Sequence, residues 1–215
     1  MKGTITLDGN KSNVTSSATL IKVDLGDLSL YNNVKLCNNF NKATTLTEKL
    51  GSVDYYVAFG SAIFARNGNI YMYGGEISNN SQKIAYELEL PMQSSRNYYL
   101  STMGAGIYLE SASTLNMNGG SIINNKASNN SIVKTNSKYT NLSGDVKQQC
   151  LGVGIYADRS SEVNLENGKI QNNKADNNSV IQLTTPTVSG KTTTIRKTDN
   201  SIYGVGVYTG LAYLT

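Results

Sequence analysis

The sequence has no histidine and no tryptophan, only two prolines and two cysteines, and no long apolar run. Without histidine there is no Ser-His-Asp or Cys-His catalysis and no His-bound zinc. No stretch reaches the roughly 18 apolar residues of a membrane helix. The opening residues, MKGTITLD, lack the apolar segment of a signal peptide. Charge is sparse too: only 16% of the 215 residues carry it, 19 basic against 15 acidic, for a net charge of +4. The charges are scattered singly, without the basic run of a nucleic-acid footprint. The surface must therefore be built from Ser, Thr and Asn, with Asn at about one residue in eight. Composition alone names no function.

A repeat is the dominant signal. Residues 60–80 read GSAIFARNGNIYMYGGEISNN, 104–127 read GAGIYLESASTLNMNGGSIINNKA, and 152–175 read GVGIYADRSSEVNLENGKIQNNKA. A weaker copy spans about 18–43, and another opens at Gly204 and runs to Thr215. The last four copies start 44, 48 and 52 residues apart, so a core of nearly fixed length alternates with an insert that drifts. Inside each core the apolar residues have period two: Ala105, Ile107 and Leu109, then Leu115 and Met117, then Ile122. Such alternation, broken by Gly-Gly and polar pairs, predicts three short strands per core separated by tight turns. A single coil cannot bury its apolar side alone, but stacked coils place like on like. The expected fold is all-β: a right-handed parallel β-helix of about four to five rungs, with long inserts leaving one corner. Rung cores fall at about 18–43, 60–80, 104–127, 152–175 and 204–215.

These cores resemble the β-helical repeats of bacterial surface proteins in the pectin-lyase-like superfamily, including the polymorphic outer-membrane protein type. One tag is carried by Gly104-Ala-Gly-Ile107, Gly152-Val-Gly-Ile155 and Gly204-Val-Gly-Val207. A second is carried by Leu36-Cys-Asn-Asn39, Ile77-Ser-Asn-Asn80, Ile122-Ile-Asn-Asn125 and Ile170-Gln-Asn-Asn173. The resemblance covers about half of the chain and implies an architecture that hosts both adhesins and polysaccharide-cleaving enzymes.

Three columns of residues recur at rung spacing. Asn39, Asn80, Asn125 and Asn173 are expected to form a structural ladder, since a side-chain amide donates and accepts along the helix axis. Phe64, Tyr108, Tyr156 and Tyr208 each follow an inward Ile or Val, so alternation turns them outward. Such rings can stack on sugars, and they are the candidate binding residues. The structural alternative is that the inserts fold over them, with Tyr86, Tyr98, Tyr99 and Tyr139 as cover. The third column holds Arg66, Glu110 and Asp158, with Arg159 beside it. Arg66 and Glu110 read as a cross-rung ion pair. Glu110 and Asp158 one rung apart repel unless a proton or a cation lies between them. Those four residues would carry catalysis if the chain were a glycosidase or lyase, and calcium is the one cofactor the pair suggests. Their bland reading is solvated surface.

Cys37 and Cys150 lie about three rungs apart, roughly 14 Å at strand spacing and beyond the reach of a disulfide. Both are expected to be free thiols. Open strand edges at the two ends of a β-helix invite end-to-end self-association, and a rung cut at each end suggests a segment of a longer repeat protein. The inserts, about 81–103, 128–151 and 176–203, are expected to form hairpins or recognition loops on one side. The function expected is a non-enzymatic stalk or adhesin-like module, secreted or on a cell surface, that binds a glycan or a neighbouring protein. The alternatives are a polysaccharide lyase or glycosidase of this fold, and a pure spacer.

Overall fold

The computed structural model describes residues 3–13, 18–43, 48–210 and the backbone of 213–214. Residues 211, 212 and 215 of the last expected core lie outside the described residues. The protein is all-β, with no helix among the described residues and short strands gathered in six sheets. The alternating apolar positions explain the first three sheets. Sheet I holds Ile63–Arg66, Ile107–Glu110 and Ile155–Ala157, flanked by Ile21–Asp24 and Val207–Thr209. Sheet II holds Asp27–Leu30, Asn69–Met72, Thr114–Met117 and Glu162–Leu165, with Tyr213–Leu214 at one edge. Sheet III holds Ile5–Asp8, Val34–Cys37, Glu76–Ser78, Ser121–Ile123 and Lys169–Gln171.

Within these sheets every pairing is parallel and in register with the repeat. Ile63 pairs with Ile107 and Ile107 with Ile155; Met72 pairs with Met117 and Met117 with Leu165; Ile77 pairs with Ile122. The inward set of all three sheets forms one apolar core, in which Ile63, Ile70, Ile77, Ile107, Leu115 and Ile122 are fully buried. Burying each such side chain contributes about 1.5–3 kcal/mol. A one-residue slip would turn the whole set to solvent, which is what fixes the register.

The inserts differ from expectation. They are not hairpins but further parallel strands that carry the repeat onward. Sheet IV holds Phe40–Ala43, Ser81–Ile84, Lys126–Asn129 and Lys174–Asn177; sheet V holds Glu87–Glu89, Ile132–Lys134 and Val180–Gln182. Sheet VI is built on Val53–Phe59, Asn97–Met103 and Asn141–Leu151, with Thr194–Asp199 and Ile202–Tyr203 paired to the last. From Ile63 onward the chain thus visits sheets I to VI in order and begins again; before that, it passes from sheet IV to sheet VI with no sheet V strand among the described residues. A second apolar core, including Tyr56, Ile84, Leu90, Leu100, Val133 and Val146, fills the insert side. Among the described residues the single antiparallel pair is Glu48–Leu50 with Val53–Phe59, joined through Gly51 at φ +54°. That short strand lies along the first edge of sheet VI.

Glycine is required where sheet VI passes into sheet I. Gly104 has φ +64°, and a Cβ there would lie 2.2 Å from the Ile107 carbonyl oxygen. Asparagine supplies the other corner. The first residue of each Asn-Asn pair, at Asn38, Asn79, Asn124 and Asn172, sits at φ between 54° and 57°, a left-handed conformation Asn tolerates better than other side chains. The chain turns there from sheet III into sheet IV, and the second Asn of each pair points inward.

Candidate functional site

The four inward asparagines form a continuous ladder. The Asn125 side-chain oxygen accepts hydrogen bonds from both the backbone N–H and the side-chain amide of Asn80, each at 3.0 Å. Asn173 repeats this toward Asn125 at 3.0 Å, and the Asn80 oxygen accepts from the Asn39 backbone N–H at 3.1 Å. The Asn125 amide also donates to the Ile77 carbonyl at 3.1 Å. Asn80 and Asn125 have no solvent exposure, so their amides hold the corner together and face no ligand.

The aromatic column stacks as its register implies, but it is not an open face. Ring centroids lie 5.4 Å apart for Phe64 and Tyr108, 5.0 Å for Tyr108 and Tyr156, and 5.4 Å for Tyr156 and Tyr208. Phe64 is 4% exposed, and the three tyrosines are half-buried. The last residues of the sheet VI strands cover them: Val57, Phe59, Met103 and Leu151 pack against the rings. Phe59 lies 5.3 Å from Phe64 and 5.2 Å from Tyr108. Lys22 and Arg66 sit over the Phe64 ring at 6.0 and 5.5 Å. Burial pushes the Tyr108 and Tyr156 phenols well above the usual tyrosine range. The tyrosines expected as cover go elsewhere: Tyr86 stacks on Tyr56, and Tyr99 meets Tyr55 edge-on. The column is a further small core between sheets I and VI.

The charged column is likewise committed. Arg66 grips Glu110 through two nitrogens, at 2.7 and 2.9 Å. Asp158 accepts from the Ser111 N–H at 3.0 Å, the Ser160 N–H at 3.0 Å, and the Ser160 and Ser161 hydroxyls at 2.9 and 2.8 Å. Burial raises its carboxyl, but these donors outweigh burial and hold it below the ordinary carboxylate value. The role visible here is to fasten the turn of the preceding repeat, where Ser111 and Ala112 sit at φ 56° and 61°. Arg159 is exposed. Among the described residues no three His, Cys, Asp or Glu side chains gather as a metal site, and Glu110 and Asp158 are each engaged by other partners, Arg66 and the serines. Cys37 and Cys150 are unpaired and buried, in sheets III and VI.

Open aromatic surface is found at another place. Tyr31 and Tyr73, at the turn from sheet II to sheet III, are 56% and 49% exposed. Their rings stack at 5.4 Å and 19°, and Tyr71 lies 6.4 Å from Tyr73 at 9°. Tyr31, Tyr73, Asn32 and Asn33 line an open hollow of about 510 Å³. The Asn32 side-chain oxygen occupies the place a Cβ of residue 74 would take, 1.8 Å away, so Gly74 is what lets it lie there. The sequence carried the signal: Tyr31 and Tyr73 follow Leu30 and Met72, which point inward, and alternation turns their neighbours out. No protein-family model, curated protein or solved structure matches this chain.

Proposed function

We propose that the six sheets are the faces of one right-handed parallel β-helix, and that the protein is a non-enzymatic, adhesin-like module of a cell surface or secreted assembly. What supports the fold reading is the fixed visiting order of the sheets and the in-register parallel stacking of like residues over successive repeats. The binding site in this reading is the Tyr31–Tyr73 hollow, and its ligand a neutral glycan. The carrying observation is that two large stacked rings, flanked by amides, stay about half exposed, where an isolated core would have covered them. The flat C–H face of a sugar ring packs on a tyrosine ring, while Asn32 supplies polar groups for its hydroxyls.

A glycan array run with wild type beside Tyr31→Ala/Tyr73→Ala tests this, with eluates assayed for new reducing ends. Binding lost in the double variant, without cleavage, is the expected result. Retained binding would remove the tyrosines from the site, cleavage would overturn the non-enzymatic reading, and silence throughout would leave a spacer.

A further inference from the structure

The outer face of sheet IV is cationic in an unusual pattern. Alternation turns Phe40 and Lys42, Ser81 and Lys83, Lys126 and Ser128, and Lys174 and Asp176 away from the core, while Asn41, Gln82, Ala127 and Ala175 face inward. The parallel register sets Lys42 directly beside Lys83, and Lys126 directly beside Lys174. Like charges on adjacent strands, about 4.8 Å apart, are destabilising unless something of opposite sign lies over them. The protein supplies one carboxylate: Asp176 pairs with Lys126 at 2.7 Å and with Lys174 at 3.5 Å. Among the described residues no carboxylate pairs with Lys42 or Lys83.

A fifth lysine joins the face from the first turn. The Lys11 ammonium donates to the Asn79 carbonyl and approaches the Ser81 hydroxyl at 3.4 Å, so its stem is pinned across the edge of the sheet. Between Lys11 and Lys126 lies a hollow of about 420 Å³ lined also by Ser12, Phe40, Ser81 and Ser128. Two ammonium groups and three hydroxyls around one opening are a donor set for a tetrahedral oxyanion. All the cations here are lysines, compact point charges; the planar fork that grips a carboxylate in two places is absent. The two like-charged pairs lie two strands apart along the sheet, Lys42 and Lys83 on its first two strands and Lys126 and Lys174 on the next two, which suits a polymer carrying anions at intervals.

We propose that this face binds a phosphodiester polymer of the polyol-phosphate class, with one phosphate seated between Lys11 and Lys126 and the next over Lys42 and Lys83. The site does not rest on the tyrosine hollow and takes a chemically different ligand. Nucleic acid, although also a phosphodiester, is disfavoured, because Phe40 is the single ring on this face and serial bases need a series of stacking partners.

The test is binding of poly(glycerol phosphate) to the whole chain, by titration at several salt concentrations. The variants are Lys42→Gln/Lys83→Gln, Lys11→Gln/Lys126→Gln, and a charge-matched control, Lys138→Gln/Lys197→Gln, on exposed residues outside sheet IV. Thermal melts establish that each is folded. Either face pair is expected to weaken binding about tenfold or more. The plot of log affinity against log salt should flatten by roughly 0.7–1 for each lysine removed. The control pair and Tyr31→Ala/Tyr73→Ala should keep wild-type affinity, so the two sites fail or stand separately. No binding at low salt overturns the proposal, as does a control pair that loses as much as the face pairs. Equal or tighter binding of oligothymidylate or dextran sulfate overturns the assignment to a polyol phosphate.

Discussion

Tyr108 stacks on Tyr156 with ring centroids 5.0 Å apart and planes within 5° of parallel, beneath the sheet VI residues Met103 and Leu151. The repeat that aligns the rings also brings the end of each preceding strand over them. This pair is therefore packing, and its removal should be felt as lost stability. Tyr156→Ala should cost on the order of 2–4 kcal/mol in denaturant melts, whereas Tyr156→Phe, which keeps the ring, should stay within about 1 kcal/mol. Tyr31→Ala, on open surface, should change stability by no more than about 0.5 kcal/mol.

The same burial sets a titration experiment. Tyr108 and Tyr156 have phenols raised from the ordinary 10.0 by desolvation first, with nearby acidic groups adding to it. In an alkaline titration followed by phenolate absorbance, a fraction that includes these two phenols should appear only as the protein unfolds. Because these folded values are raised, the neutral phenols stabilise the fold below the ordinary value, and that contribution is lost as pH climbs through the folded one. A single transition accounting for all 14 tyrosines in the folded protein would contradict the packing.

How much of this was legible in the sequence depends on what each strand turns inward. In sheets I to III the inward residues are Ile, Leu, Met, Val and Ala, so period two stands out against a polar background. In the inserts it does not. Ser81–Ile84 turns in Gln82 and Ile84, Lys126–Asn129 turns in Ala127 and Asn129, and Asn141–Leu151 turns in Gln148 among Leu142, Val146 and Cys150. Their NH2 groups are engaged: Gln82 donates to the Met103 carbonyl at 2.9 Å, and Asn129 to the Leu100 carbonyl at 2.6 Å, while the Gln82 and Gln148 side-chain oxygens have no partner among the described residues. Buried polar side chains that donate to the neighbouring sheet hide the alternation that marks a strand. The open tyrosines were passed over for another reason. Tyr31 and Tyr73 belong to two repeats only and are followed in the column by Asn118 and Glu166, so they do not recur as the covered column does.

The asparagine ladder should be the least replaceable polar feature. Asn125 engages Asn80, Asn173 and the Ile77 carbonyl at once, without solvent. Asn125→Ala leaves buried partners on both sides unsatisfied, each worth about 1–3 kcal/mol. The expected loss is roughly 3 kcal/mol in a chemical melt. Asn124→Ala, which forces a left-handed φ of 57° on alanine, should cost less, about 1 kcal/mol. A reversal of that order would mean that the corner is set by backbone conformation and not by the amides.

Cys37 and Cys150 are 2% and 0% exposed, in different sheets, with thiols raised by burial above the ordinary cysteine value. Both features suppress the thiolate that reacts. A thiol reagent at neutral pH should label neither in the folded chain and both after denaturation, with no reductant added. Masses taken with and without reductant should be identical. Rapid labelling of Cys150 in the folded protein would mean that sheet VI opens readily.

Asp158 is one of the carboxyls that the fold holds below their ordinary value, with Asp8, Glu76 and Asp176. Burial raises its carboxyl, but the Ser111, Ser161 and Ser160 donors together hold it below the ordinary 3.8. A lowered folded value means that the carboxylate's contribution is present in full above 3.8, diminishes as pH falls through the folded value, and is absent beneath it. Asp158→Ala frees the left-handed Ser111–Ala112 turn and should cost roughly 1–3 kcal/mol at neutral pH. The difference in melting temperature between wild type and Asp158→Ala should therefore narrow as pH is lowered below 3.8. The catalytic alternative makes the opposite demand: a general acid needs a raised carboxyl, and its removal would abolish turnover without narrowing that gap. A gap that stays constant from neutral to strongly acid pH would show that the serine donors do not hold Asp158 in its charged form.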